Sequence, residues 1–189
     1  ANLNNNYAPA AANGSAFIRG IYASSGIDSI AGNTVRNLSA SGNGNGSGNN
    51  ATVTGISNFS STAGNNYIRA NTIHSLTNSN VSAACYVTGI FYNGPATGGT
   101  IDRNLVYALT TPSIIGFVNG INAGGQTATY QNNMIRLGVD AAGVTTATAT
   151  NYNGILETAG NNSFLHNTVY IGGTGVNTSP PTSTYAFYN

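Results

Sequence analysis

Charge is what this chain has least of. Only 5% of its 189 residues are charged, Lys and Trp are both missing, and the formal net charge is +1. A typical soluble domain is about a quarter charged. Phosphate recognition needs clustered cations. The five Arg (Arg19, Arg36, Arg69, Arg103 and Arg136) are instead spread along the sequence, so no nucleic-acid partner is expected. Near-neutrality also does little to keep copies of the protein apart. Cys85 is the single cysteine, which excludes an intramolecular disulfide and leaves the compartment open. No apolar run approaches the roughly 20 residues that span a bilayer, so no membrane insertion is expected. Ala1-Asn2-Leu3-Asn4 is too polar to open a signal peptide. A secreted form would therefore be a mature chain or an excised piece.

Carboxylates are equally sparse. Asp28, Asp102, Asp140 and Glu157 are the only four. Glycoside hydrolysis commonly needs two carboxylates across one bond, and these four fall at different phases of the pattern described below. Asp28 and Asp102 lie two repeats apart. His74 and His166 also differ in phase, and with Cys85 alone they match no zinc spacing. No catalytic residue, metal ligand or cofactor site is expected, and a polysaccharide lyase or hydrolase is the less favoured reading.

What is present is 40% hydrophobic residues in a background of Asn, Gly, Ser and Thr. Disordered chains combine few apolar residues with many charges, and this chain has neither trait. Two markers recur. Asn followed by a hydroxyl or apolar residue and then Val or Ile begins at Asn33, Asn71, Asn104, Asn133 and Asn167, with spacings of 38, 33, 29 and 34. Gly-Ile occurs at Gly20-Ile21, Gly55-Ile56, Gly89-Ile90, Gly120-Ile121 and Gly154-Ile155, with spacings of 35, 34, 31 and 34. The series interleave without a miss, and such a period marks a solenoid.

The apolar residues come in short, β-branched or aromatic, partly alternating runs, which read as strands. Gly, Asn, Thr and Ser are poor helix formers. Each repeat reads as three short strands. One contains Gly-Ile, one ends just before the Asn, and one begins just after it. The variable segments 39–52, 77–84, 110–115, 138–150 and 172–184 connect one repeat to the next and are expected to project from a regular body. The sequence therefore predicts an all-β parallel β-helix of about five to six coils of roughly 29–38 residues. It forms one domain over 1–189 that begins and ends mid-repeat. The recurring Asn is expected at a corner, where it tolerates left-handed φ and stacks into an amide ladder.

The run Asn161-Asn162-Ser163-Phe164-Leu165-His166-Asn167-Thr168-Val169-Tyr170-Ile171-Gly172-Gly173-Thr174-Gly175, with Ser183-Thr184-Tyr185-Ala186-Phe187-Tyr188, resembles the right-handed parallel β-helix repeats of large secreted bacterial surface proteins. These share the pectate-lyase-like superfold, here without the lyase signatures. The resemblance covers nearly the whole chain and implies an extracellular, cell-surface location.

The ends lack an amphipathic capping helix. Phe17, Ile18, Tyr185 and Phe187 are candidate self-association residues, either for a head-to-tail polymer or for packing against neighbouring repeats of a longer chain. The expected function is a non-enzymatic structural β-helix of a surface fibre. The alternative is an adhesin or glycan-binding module. Tyr22, Tyr67, Tyr86, Tyr92, Tyr107, Tyr130, Tyr152, Tyr170, Tyr185 and Tyr188 either share a sugar-binding face or pack as core and cross-coil pairs. Asp28-Ser29-Ile30 resembles a short bacterial O-glycosylation acceptor, which makes Ser29 a candidate modification site.

Overall fold

Alternating apolar residues bounded by Gly and Asn favour extended backbone, and the chain is built almost wholly of it. The computed structural model describes residues 17–43, 46–95, 98–125, 127–148, 150–176 and 183–189, and the backbone of 2–6. The lead-in over 7–16, residues 44–45 of the first connection and 177–182 of the last lie outside the described residues. β1 (Asn2–Asn6) precedes five three-strand coils. The first holds β2 (Ile18–Ala23), β3 (Ser29–Ala31) and β4 (Thr34–Ala40), and the second β5 (Val53–Asn58), β6 (Asn66–Arg69) and β7 (Thr72–Asn78). The third holds β8 (Tyr86–Tyr92), β9 (Gly99–Asp102) and β10 (Leu105–Thr110), and the fourth β11 (Phe117–Ala123), β12 (Thr129–Gln131) and β13 (Met134–Leu137). The fifth holds β14 (Asn151–Glu157), β15 (Ser163–Leu165) and β16 (Thr168–Ile171), and β17 (Thr184–Tyr188) follows.

Each strand pairs in parallel with its counterpart one coil away. Sheet A runs β1-β4-β7-β10-β13-β16, sheet B β17-β14-β11-β8-β5-β2 and sheet C β15-β12-β9-β6-β3. The result is a parallel β-solenoid of about five turns. Its axial core is made of columns in register. Val35, Ile73, Val106 and Ile135 stack from sheet A, Ile56, Ile90, Ile121 and Ile155 from sheet B, and Ile30, Ile68, Ile101 and Tyr130 from sheet C.

The Gly of each Gly-Ile pair is required by space. A Cβ on Gly55, Gly89 or Gly120 would run into the sheet A side chain opposite (Ile73, Val106 or Ile135) and into the carbonyl oxygen of the next Gly. Ala186 holds this register position in β17, between Tyr185, opposite Asn153, and Phe187, opposite Ile155.

Two local expectations are corrected. The ladder Asn is not the left-handed residue of the corner. The residue before it is: Gly32 (φ 66°), Ala70 (53°), Arg103 (54°), Asn132 (54°) and His166 (53°). With the reversal made one residue earlier, the Asn side chain is free to turn along the axis. A second left-handed residue lies inside the strand after the corner, at Asn37 (φ 57°), Ser75 (55°) and Ala108 (55°). It bends the strand, so that residues three apart, such as Val35 with Leu38 and Ile73 with Leu76, are both buried.

The first connection does not project as expected. Residues 46–50 fold back over the outer face of sheet B. The Asn122 amide donates to the Ser47 carbonyl at 2.6 Å, Ser57 donates to Asn49 Oδ1 at 3.3 Å, and the Arg19 guanidinium donates to the Asn49 carbonyl. Gly48 lies against the Phe91 ring, where a Cβ would sit 3.1 Å from ring carbons. Ser57, Phe91 and Asn122, which meet this segment, are buried.

Candidate functional site: the outer face of sheet A

The corner that introduces sheet A is an Asn ladder. Asn71 donates its backbone N–H (3.1 Å) and side-chain amide (3.0 Å) to Asn104 Oδ1, and its amide also reaches back to the Ile30 carbonyl at 2.9 Å. Asn104 repeats this with Asn133 Oδ1 and the Ile68 carbonyl, and Asn133 with Asn167 Oδ1 and the Ile101 carbonyl. Asn33 enters the same chain through Asn71 Oδ1. All five Asn predicted at the corner are thus brought together, and every amide points the same way along the axis. Such fully satisfied buried networks fix one arrangement.

The ladder sets the phase of everything that follows it. The residue two after each Asn points inward. The residue three after it points outward and forms a column of Arg36, His74, Tyr107, Arg136 and Tyr170. His74 stacks on Tyr107 with ring centroids 4.8 Å apart and planes at 8°. Arg136 lies over the other face of this stack, 5.3 Å from the Tyr107 centroid. Burial, then the positive charge of Arg36, pushes the His74 pKa below its ordinary value, which favours the neutral imidazole. Beside this column runs a second one, Thr34, Thr72, Leu105, Met134 and Thr168. Between the columns and Ala141 is an open groove of about 470 Å³. Arg136 is held at its rim by donation to the Asp140 and Ala141 carbonyls, at 3.1 and 3.4 Å.

The tyrosines divide between the interior and the surface. Tyr92, Tyr130 and Tyr152 are buried, Tyr130 with its phenol pKa pushed well up by burial and by nearby Tyr92 and Glu157. Tyr86 pairs across coils with Phe117 at 4.7 Å. Tyr107 and Tyr170 share the outer face of sheet A.

The carboxylates are not brought together. Asp28 accepts from the Asn58 amide at 3.0 Å. Asp102 accepts from Arg103 (2.7 Å), Asn132 (3.1 Å) and Gln131 (3.4 Å). Its burial opposes ionisation, but the bonds from Asn132 and Arg103, the Arg103 charge and the Gln131 bond together hold its pKa below the ordinary value. Glu157 accepts from Asn162 at 2.7 Å. Among the described residues no group of three or more His, Cys, Asp or Glu is placed to hold a metal ion. His74 lies on sheet A and His166 at a corner, so they do not meet. Cys85 is buried against Thr111 Oγ1 at 3.1 Å, and burial pushes its thiol pKa up. Ser29 is exposed at the start of β3.

The candidate self-association residues sit on opposite edges of sheet B. Ile18 is in the core and Phe17 lies under the Arg19 guanidinium. Tyr185 and Phe187 are exposed on β17. Tyr185 stacks on Tyr188 at 4.7 Å, and Phe187 meets Phe164 edge-on at 4.9 Å.

The sheet A column was missed in the sequence, although its signal was present. Read at an offset of three from each ladder Asn, all five positions carry a planar cationic or aromatic side chain. No family model, no characterised protein and no solved structure matches this chain.

Proposed function

We propose that the chain is a non-catalytic, extracellular structural β-solenoid, a subunit or segment of a bacterial surface fibre in which coil stacking continues from unit to unit. One observation carries this reading: the coil-to-coil interface is itself the repeated unit. Three parallel ladders and an unbroken, unidirectional Asn ladder join every pair of successive coils. An interface repeated inside the molecule is already suited to joining molecules, and a heterologous contact that does not close grows a filament. The low charge of the surface favours such stacking, and the resemblance to secreted surface β-helix repeats supports the location.

Electron microscopy of the purified chain at modest concentration tests this. Thin filaments with an axial repeat of roughly 25–30 Å, five to six coils at about 4.8 Å each, are expected for a stacking subunit. Monodisperse short rods at all concentrations would remove the polymer and leave only a segment of a longer rod. A second reading, a glycan-binding module, is favoured by the outer face of sheet A.

A further inference from the structure

We infer that the groove on the outer face of sheet A, between Tyr107 and Tyr170 with Arg136 at its rim, binds a carboxylate-bearing polysaccharide running along the solenoid axis. It does so whether or not coils stack between units.

The first argument is charge. Sheet A strands β4, β7, β10, β13 and β16 contain Arg36 and Arg136 and no carboxylate. Among the described residues the single ion pair is Arg103 with Asp102, so neither of these two guanidinium groups has a carboxylate partner. Arg136 is also pre-set. Its Nη2 is held by two loop carbonyls and its Cζ lies 5.3 Å from the Tyr107 ring centroid, while no hydrogen bond from its Nη1 or Nε is found among the described residues. A guanidinium held in this way favours a carboxylate through a single charge-assisted hydrogen bond from Nη1 or Nε.

The second argument is the surface around it. Tyr170 and Met134 are 54% and 57% exposed, and Leu105 lies beside them. An occupant must therefore offer apolar faces and acid groups in alternation. Pyranose rings present C–H faces to aromatic and apolar side chains, and uronates carry one carboxylate per ring. Tyr107, its faces covered by His74 and Arg136, offers its edge, and Tyr170 lies two coils away, about 10 Å, so a chain of rings reaches both while a single ring does not.

The third argument sets a peptide apart. Strand addition needs a free sheet edge. Under Arg136 sheet A offers a face, because β10 and β13 are paired on both sides and only the outer edge of β16, beyond Tyr170, could accept a strand. A peptide laid here would have to leave its own backbone to water or unpaired, whereas a glycan keeps its hydroxyls solvated.

The test is calorimetric titration of the full chain with hexamannuronate, with its carboxyl-reduced counterpart, and with a Glu-rich peptide of equal charge. Hexamannuronate is expected to bind and the reduced sugar to bind at least tenfold more weakly. Arg136→Gln should weaken binding by roughly ten- to a hundredfold, the effect of losing a charge-assisted hydrogen bond. Tyr170→Ala should weaken it and Tyr170→Phe retain it. Arg69→Gln, on sheet C, should leave it unchanged. Circular dichroism and melting curves show that each variant is folded, which is expected because these side chains lie on the surface. Absence of hexamannuronate binding at millimolar concentration, equal binding of the reduced sugar, or tighter binding of the peptide overturns the inference.

Discussion

At the residue scale, the ladder Asn does more than fill a corner. Asn104 is buried and makes every hydrogen bond its amide can reach in both axial directions. Replacing it by Ala leaves the Asn71 N–H, the Ile68 carbonyl and Asn133 Oδ1 short of partners inside the wall. Each stranded group costs about 1–3 kcal/mol, so Asn104→Ala should lower stability by roughly 2–4 kcal/mol in denaturant unfolding. A loss under 1 kcal/mol would mean that water replaces the amide and that the ladder contributes little. The neighbouring position behaves in the opposite way. Ala70 is exposed and holds φ 53°, a conformation that costs an L-residue about 1–2 kcal/mol. Its backbone N–H bond to the Asp102 carbonyl (3.0 Å) does not depend on the side chain. Ala70→Gly removes the left-handed strain against a smaller entropic cost, so a gain of about 0.5–1 kcal/mol is expected. A loss would show that the strain is relieved elsewhere. This position was not legible in the sequence, because Gly32, Ala70, Arg103, Asn132 and His166 share no chemistry. The constraint there acts on the backbone and selects no side chain.

At the element scale, what could be read and what could not divide along physical lines. Strand number, order and the Gly-Ile register were legible because parallel stacking puts equivalent residues in contact, and contact selects similar side chains. The bend inside β4, β7 and β10 was not seen, yet Val35-to-Leu38, Ile73-to-Leu76 and Val106-to-Leu109 carry its mark. Two inward residues three apart break the period of two that a straight strand imposes. The closure of 46–50 over sheet B left no periodic signal, since Gly, Asn and Ser serve equally in a free loop. The column Arg36–His74–Tyr107–Arg136–Tyr170 escaped a motif search because its members differ in kind and agree only in register. The Gly of the sheet B strands offers the sharpest check on the packing of sheet A against sheet B. A Cβ at Gly89 would meet Val106 and, at 2.5 Å, the Gly120 carbonyl oxygen. One of these is backbone inside β11 rather than the end of a flexible side chain, and it cannot step aside. Gly89→Ala should therefore cost roughly 3 kcal/mol, the upper range for overpacking. An unchanged melting temperature would show that the two sheets separate more easily than their interlocked columns imply.

At the scale of the whole molecule, stability should follow position along the axis. In a solenoid each coil contacts only its neighbours, so free energy is close to a sum of coil terms and nearest-neighbour interfaces. A coil with neighbours on both sides opens only by giving up two interfaces. Here a further device adds to the centre. Residues 46–50 leave the first coil, cross the outer face of sheet B and bond Ser57 of β5 and Asn122 of β11, with Phe91 of β8 packed beneath Gly48. One segment thus ties the second, third and fourth coils together across strands that are otherwise joined only edge to edge. Hydrogen exchange should show the amides of β5, β8 and β11 as the slowest, near the global limit. Those of β16 and β17, where Tyr170, Tyr185, Phe187 and Tyr188 are exposed, should exchange at least tenfold faster through local opening. Asn122→Ala removes the far anchor of the tie. It should speed exchange in β11 and β8 more than in β14, which the segment does not bond among the described residues. Uniform exchange in all five coils would mean that the coil interfaces are strong enough for the rod to open only as a whole. Equal acceleration of β11 and β14 by the Asn122 change would mean that the segment rests on the sheet without tying its strands together.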